Sequence, residues 1–203
     1  MNLKKESVAS SWRFENDHIH PFAWAQKLFS EEECKQIIKK GESLFTHKAT
    51  ISPKKGFLNT KIRDSEVSWI FPEDDTAWIF QKIVPCIEHL NKEFFKFDIT
   101  GLYEGLQFTK YTAPSGKYRK HTDRGYGSGI RKLSFTIQLT SEEDYKGGDL
   151  CLYEGSKPMK LNKEAKTIGT LIAFPSFCLH EVKEVKKGKR FSLVGWIGGP
   201  NFK

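Results

Sequence analysis

The sequence predicts an α+β protein in which helices in the first half support a sandwich of short β-strands in the second half. After residue 100, short apolar runs are separated by glycine, proline and asparagine, with no helical period between them. Before residue 100, apolar residues recur in two segments at the spacing of amphipathic helices. Strands of this kind are typical of an antiparallel double-stranded β-helix, the jelly-roll-like sandwich also used by cupins.

We expect one domain over residues 1–203, with a helical support region over 1–99 and a double-stranded β-helix core over 100–203. The first thirty residues are aromatic-rich and predict an irregular or strand-like entry. Ser30 is a predicted N-cap, and Glu33 completes a capping box at the start of the helix EEECKQIIKKGESLF. Its early acids and later lysines suit the helix dipole.

The rest of the support region predicts a loop, a strand and a second helix. SPKKG (52–56) predicts the loop, and KIRDSEVSWIF (61–71) predicts the strand. The second helix, over about 76–95, is expected to begin at Asp74 or Asp75 and carries an apolar stripe. It contains Pro85, which we expect to kink it.

The strands predicted after residue 100 are the apolar runs of the second half. They are YEGLQFTKY (103–111), KLSFTIQL (132–139), GDLCLYE (148–154), TLIAFP (170–175), HEVKEV (180–185) and RFSLVGWI (190–197). GYGSG (125–129) predicts a mobile loop at the mouth of a site, with a plain turn as the alternative.

Composition narrows the class of protein without identifying its function. The formal charge is +8 and the pI about 9.2, but the lysines are spread along the chain, which favours a solvated basic surface over a nucleic-acid site. No apolar run is long enough for a membrane span, and the charged start lacks a signal-peptide core. Four scattered cysteines without a Cys-x-x-Cys motif indicate free thiols in a reducing compartment, so we expect a cytoplasmic protein.

Two histidines and an aspartate form a candidate metal site. His121 and Asp123 lie two residues apart in KYRKHTDRG, so on a strand both side chains leave the same face. His180 follows an apolar, Phe-rich run in which an unpaired imidazole would be costly. Two imidazoles and one carboxylate form the facial triad of non-haem Fe(II) oxygenases. The His-x-Asp motif alone is more often a solvated surface pair.

Arg190 is a candidate anion clamp. It opens the apolar run RFSLVGWI, where a charge is expected to be paired or functional, and Ser192 follows it. A guanidinium can grip a carboxylate with two parallel hydrogen bonds. A metal with open positions and an anion clamp together suggest a small dicarboxylate co-substrate, and 2-oxoglutarate fits.

Three stretches of the second half, 106–123, 130–150 and 167–203, resemble the prolyl 4-hydroxylase-like branch of the Fe(II)/2-oxoglutarate dioxygenases, and PKHD-type hydroxylases in particular. The resemblance implies Fe(II), 2-oxoglutarate and O₂, and leaves ascorbate open as a further cofactor. It implies that iron is held by His121, Asp123 and His180. It assigns the co-substrate to Tyr111, Gln138, Arg190, Ser192 and Trp196, and substrate contacts to Tyr118 and Arg131. Gln138 stands where many relatives have a tyrosine.

The activity implied is hydroxylation of a prolyl residue in a Pro-containing peptide or protein, coupled to decarboxylation of 2-oxoglutarate to succinate and CO₂. Hydroxylation of a free amino acid or small metabolite is the main alternative. Nucleic-acid demethylation is disfavoured because RFSLVGWI lacks a second arginine, and halogenation because Asp123 is present. A silent binding module is opposed by the intact triad. No membrane or nucleic-acid partner is expected.

Overall fold

The computed structural model describes residues 20–44, 47–49, 59–125, 130–161 and 163–201. The predicted loop at 52–56 and residues 126–129 of the loop predicted at 125–129 lie outside these ranges. None of the helices in the described ranges has the length and apolar character needed to span a membrane. All four cysteines are unpaired, as predicted, and burial raises the pKa of Cys34 to about 12.

Strands are the predominant regular secondary structure of the described ranges. They are β1 (Ala23–Ala25), β2 (His47–Lys48), β3 (Arg63–Asp64), β4 (Glu66–Ile70), β5 (Gly101–Leu102), β6 (Leu106–Thr112), β7 (Lys117–His121), β8 (Arg131–Gln138), β9 (Tyr145–Gly147), β10 (Leu150–Glu154), β11 (Lys157–Pro158), β12 (Leu171–Pro175), β13 (Leu179–Val182) and β14 (Val185–Gly198). The helices are α1 (Glu31–Ser43) and α2 (Ala77–Leu90), which continues as a π-helical turn (Asn91–Phe95), and a 3₁₀ turn (Lys163–Lys166).

These strands pair into two antiparallel sheets. Within the described ranges, the larger sheet has nine strands along the path β1-β12-β8-β14-β6-β4-β2, with β5 and β9 paired to β14. The smaller sheet has the order β11-β10-β13-β7-β3. Strands that follow one another in sequence mostly belong to different sheets or are not neighbours in the same sheet, as a double-stranded β-helix requires. The predicted fold class is confirmed.

The helices cover one face of the larger sheet. Ile37 of α1 and Ile83 of α2 are fully buried in one apolar cluster with Phe108 and Leu193 of the sheet. Leu193 and Ile197 of β14 point into this cluster, whereas the alternate residues of the same strand point to the other face. That other face is the inner face of the sandwich, where a cavity lies.

The first helix begins as predicted, and the second does not. Ser30 and Glu33 form both hydrogen bonds of the capping box of α1. The residue before α2 is Thr76 rather than an aspartate, because its hydroxyl accepts from the Glu73 amide and donates to the Phe71 carbonyl, which organises the turn. Helix α2 continues through Pro85 without interruption.

The segment predicted as one strand over 61–71 is two strands in different sheets. β3 pairs with β7 of the smaller sheet, and β4 pairs with β6 of the larger one. Ser65 lies between them and is buried. The chain therefore crosses from one sheet to the other at this point, and β3 closes one side of the space between them.

Helix α1 approaches the sheet closely at Gly41. A Cβ at this position would lie 2.3 Å from the buried Phe108 ring, and the Gly41 carbonyl accepts a hydrogen bond from Ser68 Oγ at 2.8 Å. Alanine normally stabilises a helix interior over glycine by about 0.5–1 kcal/mol. Because the Phe108 ring is fully buried, we expect the cost of overpacking to exceed this gain and to make the substitution destabilising.

We therefore predict that Gly41→Ala lowers the free energy of unfolding by about 1–3 kcal/mol, measured by urea denaturation. Gln36→Ala, on the exposed face of the same helix, is the control and should change it by less than about 0.5 kcal/mol. A stabilised Gly41→Ala variant would show that the helix does not pack this closely.

Candidate active site

The three candidate metal ligands come together on the smaller sheet. His121 ends β7, Asp123 follows it two residues later, and His180 lies on the neighbouring strand β13, directly opposite His121 in the register. The Asp123 amide donates to the Ser176 carbonyl at 3.0 Å, which anchors the chain just beyond β7. Strand pairing thus places two residues from distant parts of the sequence side by side.

The ligand atoms of this cluster converge. The Nε2 atoms of His121 and His180 each lie 3.6 Å from a carboxylate oxygen of Asp123, and the three groups can present atoms within 4.8 Å of one another. Each histidine places Nδ1 against a backbone carbonyl, His121 at 2.7 Å from Arg119 O and His180 at 3.0 Å from Cys178 O. These carbonyls accept hydrogen bonds from the Nδ1–H groups, so both Nε2 lone pairs are available to a metal.

The protonation states also suit a metal. Burial lowers the pKa of His121 to about 4, and the neighbouring His180 acts in the same direction. For Asp123, burial opposes ionisation, but the two imidazoles and Ser134 outweigh it and hold the pKa of the carboxyl below its usual value. Neutral imidazoles and an ionised carboxylate are the ligand forms that Fe(II) takes. The residues present therefore fit iron.

Arg190 faces this cluster from the larger sheet. Its side chain is 3% exposed, and its guanidinium lies 3.5 Å from Ser192 Oγ and 5.6 Å from the centre of the Tyr111 ring. Within the described ranges, no carboxylate pairs with it. Gly148 leaves the room that it needs, because a Cβ there would lie 3.0 Å from Arg190 Cδ. A buried cation without an acidic partner is expensive, so this geometry favours a bound anion.

A cavity of about 380 Å³ joins the metal cluster to Arg190, within the usual size range of ligand pockets. The larger sheet contributes alternate residues of β14 and β6 to its wall, since side chains two apart on a strand share a face. From β14 these are Arg190, Ser192, Val194 and Trp196, and from β6 they are Gln107, Thr109 and Tyr111.

The aromatic residues predicted from the resemblance also line this cavity. Tyr118 stacks on the His121 ring with 3.5 Å between centroids, which restricts the orientation of that imidazole. Tyr111 is buried between the sheets, and burial raises its pKa, so the phenol keeps its proton and can donate a hydrogen bond. Trp196 is 7% exposed and packs against Trp69.

Two predicted site residues have partners within the protein. Arg131 lines the cavity, but its guanidinium makes a two-pronged ion pair with Glu104, from Nε to Oε1 at 2.8 Å and from Nη2 to Oε2 at 2.7 Å, and lies over the Trp196 ring at 3.9 Å. Gln138 does not line the main cavity. Its amide nitrogen donates to the Thr140 carbonyl and the Tyr145 hydroxyl, both at 2.9 Å, and it borders a smaller cavity behind Arg190.

Arg63, Trp69 and Glu104 are among the cavity-lining residues that the sequence did not indicate. Arg63 and Trp69 belong to the segment predicted as a single strand, so nothing marked them as facing the second half of the chain. Glu104 lies at the start of a predicted strand. The charge of Arg63 was a weak signal, because Lys61 carries the same charge in that segment.

Comparison with known proteins agrees with this geometry. The model of the 2OG-Fe(II) oxygenase superfamily matches residues 106–198, which include the metal cluster and Arg190. A PKHD-type hydroxylase of Prochlorococcus marinus strain NATL2A is 42% identical over 174 residues, which cover 84% of this chain and 75% of that protein. Other PKHD-type hydroxylases of this species match over about half of this chain and less than half of their own length.

Solved structures share the fold at low sequence identity. A prolyl-4-hydroxylase of Pseudomonas putida has a TM-score of 0.68 at 19% identity, covering 90% of this chain and 94% of its own. A prolyl hydroxylase from Trichoplax adhaerens, in complex with a peptide fragment of the hypoxia inducible factor oxygen degradation domain, has a TM-score of 0.71 at 18% identity, covering 88% and 83%. With its metal cluster and its 42% identical relative, this chain belongs to the PKHD-type hydroxylases of the 2OG-Fe(II) oxygenase superfamily, and iron, 2-oxoglutarate and O₂ are its cofactors.

Proposed function

We propose that this enzyme hydroxylates a C–H bond of a prolyl residue in a peptide or protein. The observation that carries the proposal is the single cavity that holds both the His121, Asp123 and His180 cluster and a buried arginine without an acidic partner in the described ranges. The hydroxylases to which the chain is similar support the reaction type, and the peptide complex of the Trichoplax protein supports the substrate class.

In this proposal the protein binds and orients the reacting groups. His121, Asp123 and His180 hold the metal on one side and leave positions open toward the cavity. Arg190 and Ser192 hold the far carboxylate of 2-oxoglutarate, and Tyr111 donates a hydrogen bond to it from the same wall. The chemistry that bound iron, O₂ and 2-oxoglutarate supply is hydroxylation of an unactivated C–H bond with release of succinate and CO₂.

Exclusion of water is the other task of the protein. Trp196 and Trp69 pack together across the cavity wall, and the Arg131–Glu104 pair lies over Trp196. In this proposal, these packed side chains shield a bound substrate from solvent on the side of the cavity that Trp196 lines. We propose that Arg131 contacts a peptide substrate while remaining paired with Glu104.

The substrate proposal is tested by mass spectrometry. The enzyme with Fe(II), 2-oxoglutarate and ascorbate is incubated with Pro-rich peptides, with cell lysate and with free proline, and products are searched for the mass of one added oxygen atom. We predict modified prolyl residues in peptides or proteins. Modification of free proline or another small molecule alone would instead establish the alternative, a hydroxylase of free metabolites.

Metal binding should need all three ligands. We predict that Asp123→Ala and His180→Ala each abolish succinate formation and strongly weaken Mn(II) binding in calorimetric titrations, because each removes a convergent ligand. Asp74→Ala, which removes an exposed carboxylate elsewhere, should leave both unchanged. Full activity in either ligand variant, with the fold verified by circular dichroism, would contradict the assignment.

Arg190 should control the requirement for 2-oxoglutarate. Removing one partner of a buried charge pair costs about 2–5 kcal/mol, so Arg190→Ala should raise the Kd for 2-oxoglutarate at least about tenfold, with Mn(II) affinity nearly unchanged. Arg190→Lys should be milder because it keeps the charge. Lys189→Ala removes the exposed cation next to it and is the control. An unchanged Kd in Arg190→Ala would place the anion clamp elsewhere.

A further inference from the structure

The cavity holds a third arginine that neither the metal nor 2-oxoglutarate uses. Arg63 of β3 lines the cavity from the smaller sheet and lies over the Tyr118 ring, 4.5 Å from its centre. Tyr118 in turn stacks on His121. The Tyr118 ring therefore lies between the Arg63 guanidinium and the metal cluster. In the proposed function, the substrate lies in this part of the cavity.

The guanidinium of Arg63 is held in place by neutral groups. Nε donates to Ser65 Oγ at 3.1 Å, and Nη2 donates to Gln107 Oε1 at 2.7 Å. The following residue, Asp64, instead accepts a hydrogen bond from Ser115. Over the described part of the chain, Arg63 has no carboxylate partner, and its Nη1 makes no hydrogen bond. One edge of a fixed, planar donor is thus unused.

The charges of the cavity distinguish Arg63 from the other two arginines that line it. Arg131 is neutralised by Glu104. Arg190 is neutralised by the far carboxylate of 2-oxoglutarate in the proposed function. A divalent iron is balanced by Asp123 and by the near carboxylate of the same co-substrate. With the cofactors bound, Arg63 is then the one uncompensated charge among the described residues around the metal cluster.

We propose that Arg63 binds a carboxylate of the substrate, so that the preferred substrate carries a negative charge close to the C–H bond that reacts. The inference rests on the proposed function for the position of the substrate. A guanidinium whose orientation is fixed loses little conformational freedom on binding, and its unused edge can form charge-assisted hydrogen bonds. A C-terminal carboxylate, an acidic side chain and a free amino acid supply the same chemistry.

The test compares matched acid and amide probes. The pairs are N-acetyl-Ala-Pro-Ala as carboxylate and as amide, N-acetyl-Glu-Pro-Ala-amide and N-acetyl-Gln-Pro-Ala-amide, and L-proline and L-prolinamide. Dissociation constants are measured for the enzyme loaded with Mn(II) and 2-oxoglutarate without O₂. In at least one pair, the acid should bind about tenfold more tightly or better. The pair that responds identifies the source of the carboxylate.

Three variants attribute the preference to Arg63. Arg63→Gln should bring the ratio within each pair close to one, and Arg63→Lys should keep part of the preference. Lys61→Gln removes an exposed cation two residues away and should keep all of it. Titration with 2-oxoglutarate verifies that each variant has formed the site. If Arg63→Gln does not fold, the comparison of acid and amide probes with the wild-type enzyme and Arg63→Lys tests the proposal.

The inference is overturned if no pair shows the preference in the wild-type enzyme, or if the preference persists in Arg63→Gln. Its failure is distinguishable from that of prolyl hydroxylation. Equal hydroxylation of acid and amide peptides would support prolyl hydroxylation and contradict the role proposed for Arg63. Tight binding of acid probes without their hydroxylation would support the role of Arg63 and contradict prolyl hydroxylation.

Discussion

Burial of charge between two sheets is the constraint on which this structure depends. The cavity combines an ionised aspartate, two imidazoles and a guanidinium that is 3% exposed. Such groups destabilise a fold unless partners neutralise them. In the proposed function, the metal and the dicarboxylate provide that neutralisation. The buried charges that destabilise the protein without its cofactors are then the same groups that bind them.

The sandwich meets this constraint through strand alternation. β14 presents Leu193 and Ile197 to the helix-covered core and Arg190 to the cavity, so one strand contributes to apolar packing on one face and carries the proposed anion clamp on the other. The metal ligands belong to the opposite sheet, where His121 and His180 are held by strand pairing. The spacing between metal and clamp is thus the spacing between two packed sheets, which the helices and the apolar core stabilise.

The fold class, the capping box at Ser30, the metal cluster and Arg190 were all predictable because their signals are local. Short apolar runs, a His-x-Asp pair and one cation in a buried strand can be recognised in sequence. The Arg131–Glu104 pair and the Arg63–Tyr118 contact were not, since each joins residues brought together by tertiary packing. The division of 61–71 between two sheets was hidden as well, because no glycine or proline separates the two strands.

In the proposed function, the metal cluster and Arg190 serve the steps common to 2-oxoglutarate-dependent hydroxylation, so they carry little information about the substrate. Discrimination among substrates then depends on the remaining charges of the wall. Arg131, neutralised by Glu104, lies over Trp196, whereas Arg63 is held by the neutral groups of Ser65, Gln107 and Tyr118 and keeps its charge for a ligand. The contrast between Arg131 and Arg63 therefore supports the proposal that the substrate carries a negative charge.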